Sequence, residues 1–173
     1  MYHAVVRNRL VWVGLGVIVG VLSSGLLPQA PLHAMCAERF DTFAIATGPL
    51  DEEVEAIYFL DFLTGDLRAA AINPRQRRFN AFFQLNILQA MNIDVSKNPK
   101  FLMVPGMLAM RRGTGPQWGN TVIYVAEAST GLVGAVGTPW AREAANAGKT
   151  IQAALVLLDV AKFRTAAIRE GTQ

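Results

Sequence analysis

The sequence holds one cysteine and two histidines in 173 residues. Cys36 by itself cannot form an intrachain disulfide, so a folded domain must stand on its own core. His3 and His33 lie ahead of the segments that carry strand-like patterning. Ser-His-Asp and Cys-His catalysis, and histidine-ligated zinc or copper, are thereby excluded within that later part. No Walker phosphate loop, G-x-G-x-x-G fingerprint or C-x-x-C motif occurs. Charged residues are also scarce, at 17%, against 52% hydrophobic residues, which excludes a disordered chain. The formal net charge of +3 owes most of its excess to Arg7 and Arg9, the only basic residues before Arg39. The remainder of the chain is close to neutral, with 14 basic and 13 acidic side chains, and nucleic acid is disfavoured as a partner.

What is present begins with an apolar run. Leu10–Leu27 has no charged residue, and Ser23 and Ser24 are its only polar side chains. Eighteen helical residues reach roughly 27 Å, close to the ~30 Å hydrocarbon core of a bilayer. Pro28 and Pro31 end the run, and the basic pair before it gives an N-inside, C-outside orientation. Residues 1–37 are therefore expected to be a signal-anchor or transmembrane segment with its linker, and 38–173 an extracytoplasmic domain. A cleaved signal is the alternative; its best sites, Leu32-His33-Ala34 and Met35-Cys36-Ala37, each place a bulky residue where a small one is wanted. Met35 before Cys36 also departs from a lipoprotein signal. Gly16-x-x-x-Gly20 permits close contact between membrane helices.

Residues 40–160 read as short β-rich segments punctuated by Gly, Pro and Asn. The fold class expected is mainly β, with a β-rich α+β arrangement as the variant: about eight antiparallel strands and one or two short helices. A strand from Arg78 turns into a helix ending before Asn92, a helical turn lies in 139–148, and Asp159 caps a C-terminal helix over Val160–Arg169.

Two hairpins match without a gap at an offset of 66 residues. Ile57-Tyr58 aligns with Ile123-Tyr124, Asp61 with Glu127, Thr64-Gly65 with Thr130-Gly131, and Ala69 with Ala135. Upstream, Phe43…Gly48 matches Phe101…Gly106 at an offset of 58. The domain thus divides into a first repeat over about 40–92 and a second over about 98–160, each with about four strands, followed by a C-terminal tail or helix. In each hairpin loop a glycine can take the left-handed conformation, and the carboxylate three residues before the Thr can accept from loop N–H groups. The strands of both hairpins are apolar on both sides, so both faces are expected to be buried.

IYFLDFLTGDLRAAAIN and VIYVAEASTGLVGAVGTP resemble the blades of PQQ-type, quinoprotein-like β-propellers, which run strand, acidic residue, x-x-T-G, strand. The likeness covers about 17 residues per copy and lacks the aromatic residues and glycines that lock such blades, so no cofactor is implied. The F-L-D-F-L-T-G-D-L and Y-V-A-E-x-x-(S/T)-G stretches also resemble a family of short exported bacterial proteins, a likeness that implies export and no activity. Two blades cannot close a ring. Either several chains complete one, or the strands form a sandwich, an open barrel or a layered sheet.

The candidate site residues are few. Asp51, Glu52, Glu53 and Glu55 cluster before the first hairpin and are the only candidates for a hard cation such as Ca²⁺, with a solvated acidic turn as the plainer reading. Asp61 and Glu127 are read as turn caps, with an acid–base pair of the glycosidase kind among Asp61, Asp66, Glu127 and Asp159 as the alternative. Arg75, Arg77 and Arg78 form one basic loop and Arg111-Arg112 another, suited to anionic polymers, lipid head groups or an acidic partner surface. Trp118 and Trp140 sit in GPQWGN and GTPWAR, where a loop tryptophan stacks on a sugar, anchors a partner or covers a core edge. FLMVPGMLAM reads as a buried strand pair bent at Pro105-Gly106; as an exposed patch it would be an interface.

These features point to a membrane-anchored, non-catalytic interaction module of a bacterial envelope, self-associating through sheet edges or holding an envelope protein. An exported carbohydrate- or ligand-binding protein, or a carboxylate-dependent enzyme, using the tryptophans and carboxylates is the second expectation. An accessory subunit of a larger membrane complex is the third.

Overall fold

The computed structural model describes residues 12–18, 20, 37–109 and 117–164. The chain divides into two units, Met1–Leu32 and His33–Gln173. In the first, residues 12–18 and 20 are helical and exposed. The rest of the Leu10–Leu27 run, the two histidines, Cys36 and the Arg111-Arg112 pair lie outside the described residues. Among the described residues no helix is long and apolar enough to cross a membrane.

The second unit is mainly β. Its strands are β1 (Ala37–Arg39), β2 (Phe43–Pro49), β3 (Glu55–Asp61), β4 (Asp66–Asn73), β5 (Arg78–Asn86), β6 (Phe101–Met107), β7 (Trp118–Glu127), β8 (Leu132–Pro139), β9 (Ile151–Ala154) and β10 (Val156–Lys162). Helices α1 (Ile87–Ala90) and α2 (Arg142–Asn146) are short, and a single 3₁₀ turn spans Val95–Lys97. The strands form two sheets. The first has the order β1-β2-β3-β4-β5-β9 and the second β10-β8-β7-β6. All pairings are antiparallel except β5 with β9. The connection from β5 to β9 runs through α1, strands β6–β8 of the second sheet and α2, long enough to bring the chain back in the same direction.

Residues 151–162 form two strands: Ile151–Ala154 pairs in the first sheet and Val156–Lys162 in the second. Leu155, 2% exposed, sits at the switch and bonds through its N–H to the Gln84 carbonyl. Residues Val160–Lys162 are therefore strand where a helix was expected; the β8 ladder, antiparallel up to Lys162–Leu132, satisfies their backbone instead. Likewise β6 is one alternating strand, not a pair bent at Pro105, since the ladder with β7 continues from Phe101 to Met107.

The repeats are real at the level of register. Tyr58 pairs with Ala69 and Tyr124 with Ala135; Ile57 pairs with Ala70 and Ile123 with Val136. Phe43 pairs with Asp61 and Phe101 with Glu127. Their facing, however, is reversed. Tyr58 and Leu60 are fully buried and Ile57 and Phe59 are 36% and 38% exposed. In the second repeat Ile123 and Val125 are buried and Tyr124 is exposed. The same inversion separates Ala44 and Ala46, buried, from Leu102 and Val104, exposed. Side chains alternate across a strand, so two equivalent sheets can share one core in this way only by packing the front of one on the back of the other.

Two expectations are corrected by this packing. The sheets are not propeller blades: the first carries six strands, including a parallel one, and the two enclose a common core. Nor are both faces of each hairpin buried. One face of each sheet meets the core, and on the other, among the described residues, Ile57, Phe59, Leu102, Val104 and Tyr124 are exposed.

Candidate functional site

Three places gather the residues of interest. The first is the junction between the repeats. Asp51 Oδ1 accepts the backbone N–H groups of Glu53 and Val54, each at 2.9 Å, closing a tight turn. Its Oδ2 accepts the Trp140 indole N–H at 2.7 Å and lies 3.6 Å from Arg142 Nε. Arg142 also approaches Glu52 Oε2 at 3.7 Å. Beside it, Thr121 Oγ1 donates to the Pro49 carbonyl at 2.7 Å and the Asn120 N–H to the Leu50 carbonyl at 3.0 Å. Asp51 thus closes its own turn with one oxygen and ties the repeats together with the other. Among the described residues no three His, Cys, Asp or Glu side chains come close enough to hold a metal ion, and the Asp51–Glu55 carboxylates do not converge. Trp140 is 4% exposed and covers the core edge above this junction. Trp118 is half-buried at the start of β7, paired with Pro139. The two indoles do not meet in one cleft: a hollow of about 310 Å³ beside Trp140 is lined by Gln117, Pro139, Glu143 and Ile151.

The second place is the hairpin loops. Asp61 Oδ1 accepts the N–H groups of Leu63, at 2.8 Å, and Thr64, at 3.3 Å. Glu127 accepts the N–H groups of Ser129, at 2.9 Å, and Thr130, at 2.8 Å, and both of their hydroxyls. Gly65 and Gly131 take φ of +72° and +73°, the left-handed region that closes each loop. Because the facing is reversed, Glu127 is buried and Asp61 is not. Burial on its own raises the Glu127 carboxyl, but the hydroxyl and backbone bonds from Ser129 and Thr130 prevail and hold it at about 2.

The basic loop makes up the third place. Asn73 Nδ2 donates to the Ala145 carbonyl at 2.8 Å, Arg75 Nη1 to Asn146 at 3.1 Å, Gln76 Nε2 to Gly148 at 3.2 Å and Asn80 Nδ2 to Lys149 at 3.3 Å. The Ala145 and Asn146 carbonyls end α2, where a helix leaves acceptors without intrahelical donors, and those of Gly148 and Lys149 follow it. Arg75 therefore caps a helix terminus. Arg77 takes a φ of +54° in the turn, and Arg78 Nε approaches Gln76 Oε1 at 3.4 Å. Gly16 and Gly20 belong to the helical residues of the first unit, with open space beside each.

Sequence reasoning expected buried sheet faces and reached an exposed one only as the alternative for FLMVPGMLAM, whose Leu102, Val104 and Met107 are exposed. The outer face of the first sheet forms a wide trough of about 1060 Å³, lined centrally by Ile45, Ile57, Phe59, Arg68, Ala70 and Phe82. Phe40, Phe43 and Phe59 stack along its rim with ring centroids 5.2 Å and 4.9 Å apart. The outer face of the second sheet presents Leu102, Val104 and Tyr124, each more than two-fifths exposed. The signal was in the strands themselves, which are apolar at both parities. An antiparallel sheet with one solvated face alternates apolar and polar residues instead.

Comparison with protein-family models, with curated proteins and with solved structures returns no match to this chain.

Proposed function

We propose that this protein is a membrane-anchored, extracytoplasmic assembly module that works by binding, and that a second copy of itself is its first partner. One observation carries the reading: both sheets turn large apolar side chains outward, where a domain that works alone presents polar ones. The uncharged run Leu10–Leu27 supports anchoring at a membrane. Sheet edges support association less well. The outer strand β6 carries Pro105, which offers no N–H, β10 has a register shift between Leu157 and Asp159, and β1 is three residues long with Glu38 and Arg39. Such features blunt edge pairing.

A sugar-binding role draws less support, because the Trp140 indole is buried and its N–H is spent on Asp51. The reading is tested on the exported full-length chain. N-terminal sequencing should find Leu10–Leu27 retained, and sedimentation in detergent should give a mass that rises with concentration above one chain. A cleaved run ends the anchoring proposal, and a strict monomer ends the self-association proposal.

A further inference from the structure

We infer that copies of this domain stack head to tail, the outer face of the first sheet in one copy packing on the outer face of the second sheet in the next. This arrangement rests on the self-association already proposed and names its surfaces.

The reversed repeats carry it. Within the chain, the inner interface joins two kinds of face. The first sheet contributes a tyrosine among alanines, Ala44, Ala46, Tyr58 and Ala69, together with Leu60, Leu67 and Phe83. The second contributes larger aliphatic residues: Met103, Ile123, Val125 and Val136. By register, the outer face of the second sheet is the repeat equivalent of the tyrosine face, with Tyr124 at the place of Tyr58 and Ala135 at the place of Ala69, and with the larger Leu102 and Val104 at the places of Ala44 and Ala46. The outer face of the first sheet is the equivalent of the aliphatic face, with Ile57 at the place of Ile123 and Ile45 at the place of Met103.

Each chain therefore contains one complete interface and exposes its two halves on opposite sides. A second copy supplies the missing half to each, and the stack continues the interface already present inside the molecule. The aliphatic outer face carries the Arg68–Asp66 ion pair, 3.1 Å apart, and the tyrosine outer face carries Asp159, paired across from Ala135. The contact is heterologous, since the two surfaces differ, so two copies do not saturate it.

The test uses full-length protein in detergent and two lysine variants, Phe59→Lys on the first outer face and Val104→Lys on the second. Both positions are solvent-exposed, so the fold should tolerate the charge; circular dichroism and the Tm check this, and Ile57→Lys and Tyr124→Lys stand in if either fails. Wild type should associate with concentration. Each variant alone should lose at least tenfold in association and sediment as a monomer. An equimolar mixture should recover a complex of two chains, because each variant still offers the face the other lacks. If one variant alone keeps the wild-type association, a face is pairing with itself and the inference is overturned. If both keep it, edges or the N-terminal helix carry the association; the inference falls and the self-association reading survives. Failure of the mixture to recover a dimer also overturns it. A wild-type monomer overturns both.

Discussion

Tyr58 and Tyr124 stand at the same step of the two repeats, each opposite an alanine on the neighbouring strand, yet Tyr58 is fully buried between the sheets and Tyr124 is 42% exposed outside them. A sandwich whose halves met face to face would bury both. The packing instead runs front to back, which leaves one half-interface open on either side.

Tyr58 is also the polar tie across the core. Its hydroxyl lies 2.9 Å from Thr138 Oγ1. Tyr58→Phe should strand the Thr138 hydroxyl and cost about 1 kcal/mol. Adding Thr138→Val should restore part of that loss, so urea denaturation of the double variant should show less than the sum of the singles. Burial pushes the Tyr58 phenol up to about 12, the Thr138 bond opposing it. The raised value means that this stability is complete below pH 10 and is lost as pH rises from there toward 12. Tyr58→Phe should remove that alkaline loss.

Glu127 should set an acid limit. Its carboxyl is held at about 2 in the folded chain, against 4.5 ordinarily. A depressed value stabilises the fold above about pH 4.5, and the gain is lost as pH falls from there through 2. The linkage amounts to at most about 3 kcal/mol. Glu127→Gln should lower the urea midpoint at pH 6 and flatten its fall between pH 5 and 3. An unchanged acid slope would remove Glu127 from the account.

Asp51 should behave as a structural carboxylate. Asp51→Asn weakens the bonds to Trp140 and Arg142 together, and a hydrogen bond to a charged group is worth about 1.5–3 kcal/mol. The Tm should fall by several degrees and Trp140 emission should shift to the red as the indole loosens. Adding Ca²⁺ should leave the wild-type Tm where it was; a Ca²⁺-dependent rise lost in Asp51→Asn would assign a cation site instead.

Gly131 should tolerate alanine less than Gly65. Both occupy the left-handed region, where a Cβ costs about 1–2 kcal/mol. At Gly65 the added carbon meets the Leu88 side chain, which can move, whereas at Gly131 it also lies 2.7 Å from the Arg164 backbone nitrogen. Thermal denaturation of Gly65→Ala and Gly131→Ala should show the larger loss at the second loop.

Local features were legible from the residues. The hairpins, their acidic caps and the strand-to-helix turn at Asn86 depend on contacts within a few positions, which sequence spacing encodes. Asn86 Oδ1 accepts the Gln89 N–H at 3.0 Å, a cap of three-residue reach. The basic loop was not legible, because its partners at Ala145–Lys149 lie about 70 residues away. Nor was the sheet switch at Leu155, since an apolar strand pairs equally well with either neighbour.

By itself the sequence determined the absence of histidine and paired-cysteine chemistry in the domain, the uncharged N-terminal run, and two repeats in matching register. Spacing and residue type decide those. Only the tertiary structure decided which side of each repeat faces inward. Strands apolar at both parities leave the inner face unspecified, and burial is settled by what a strand packs against. That choice buries Tyr58 and exposes Tyr124, and with them it sets which surfaces remain to bind.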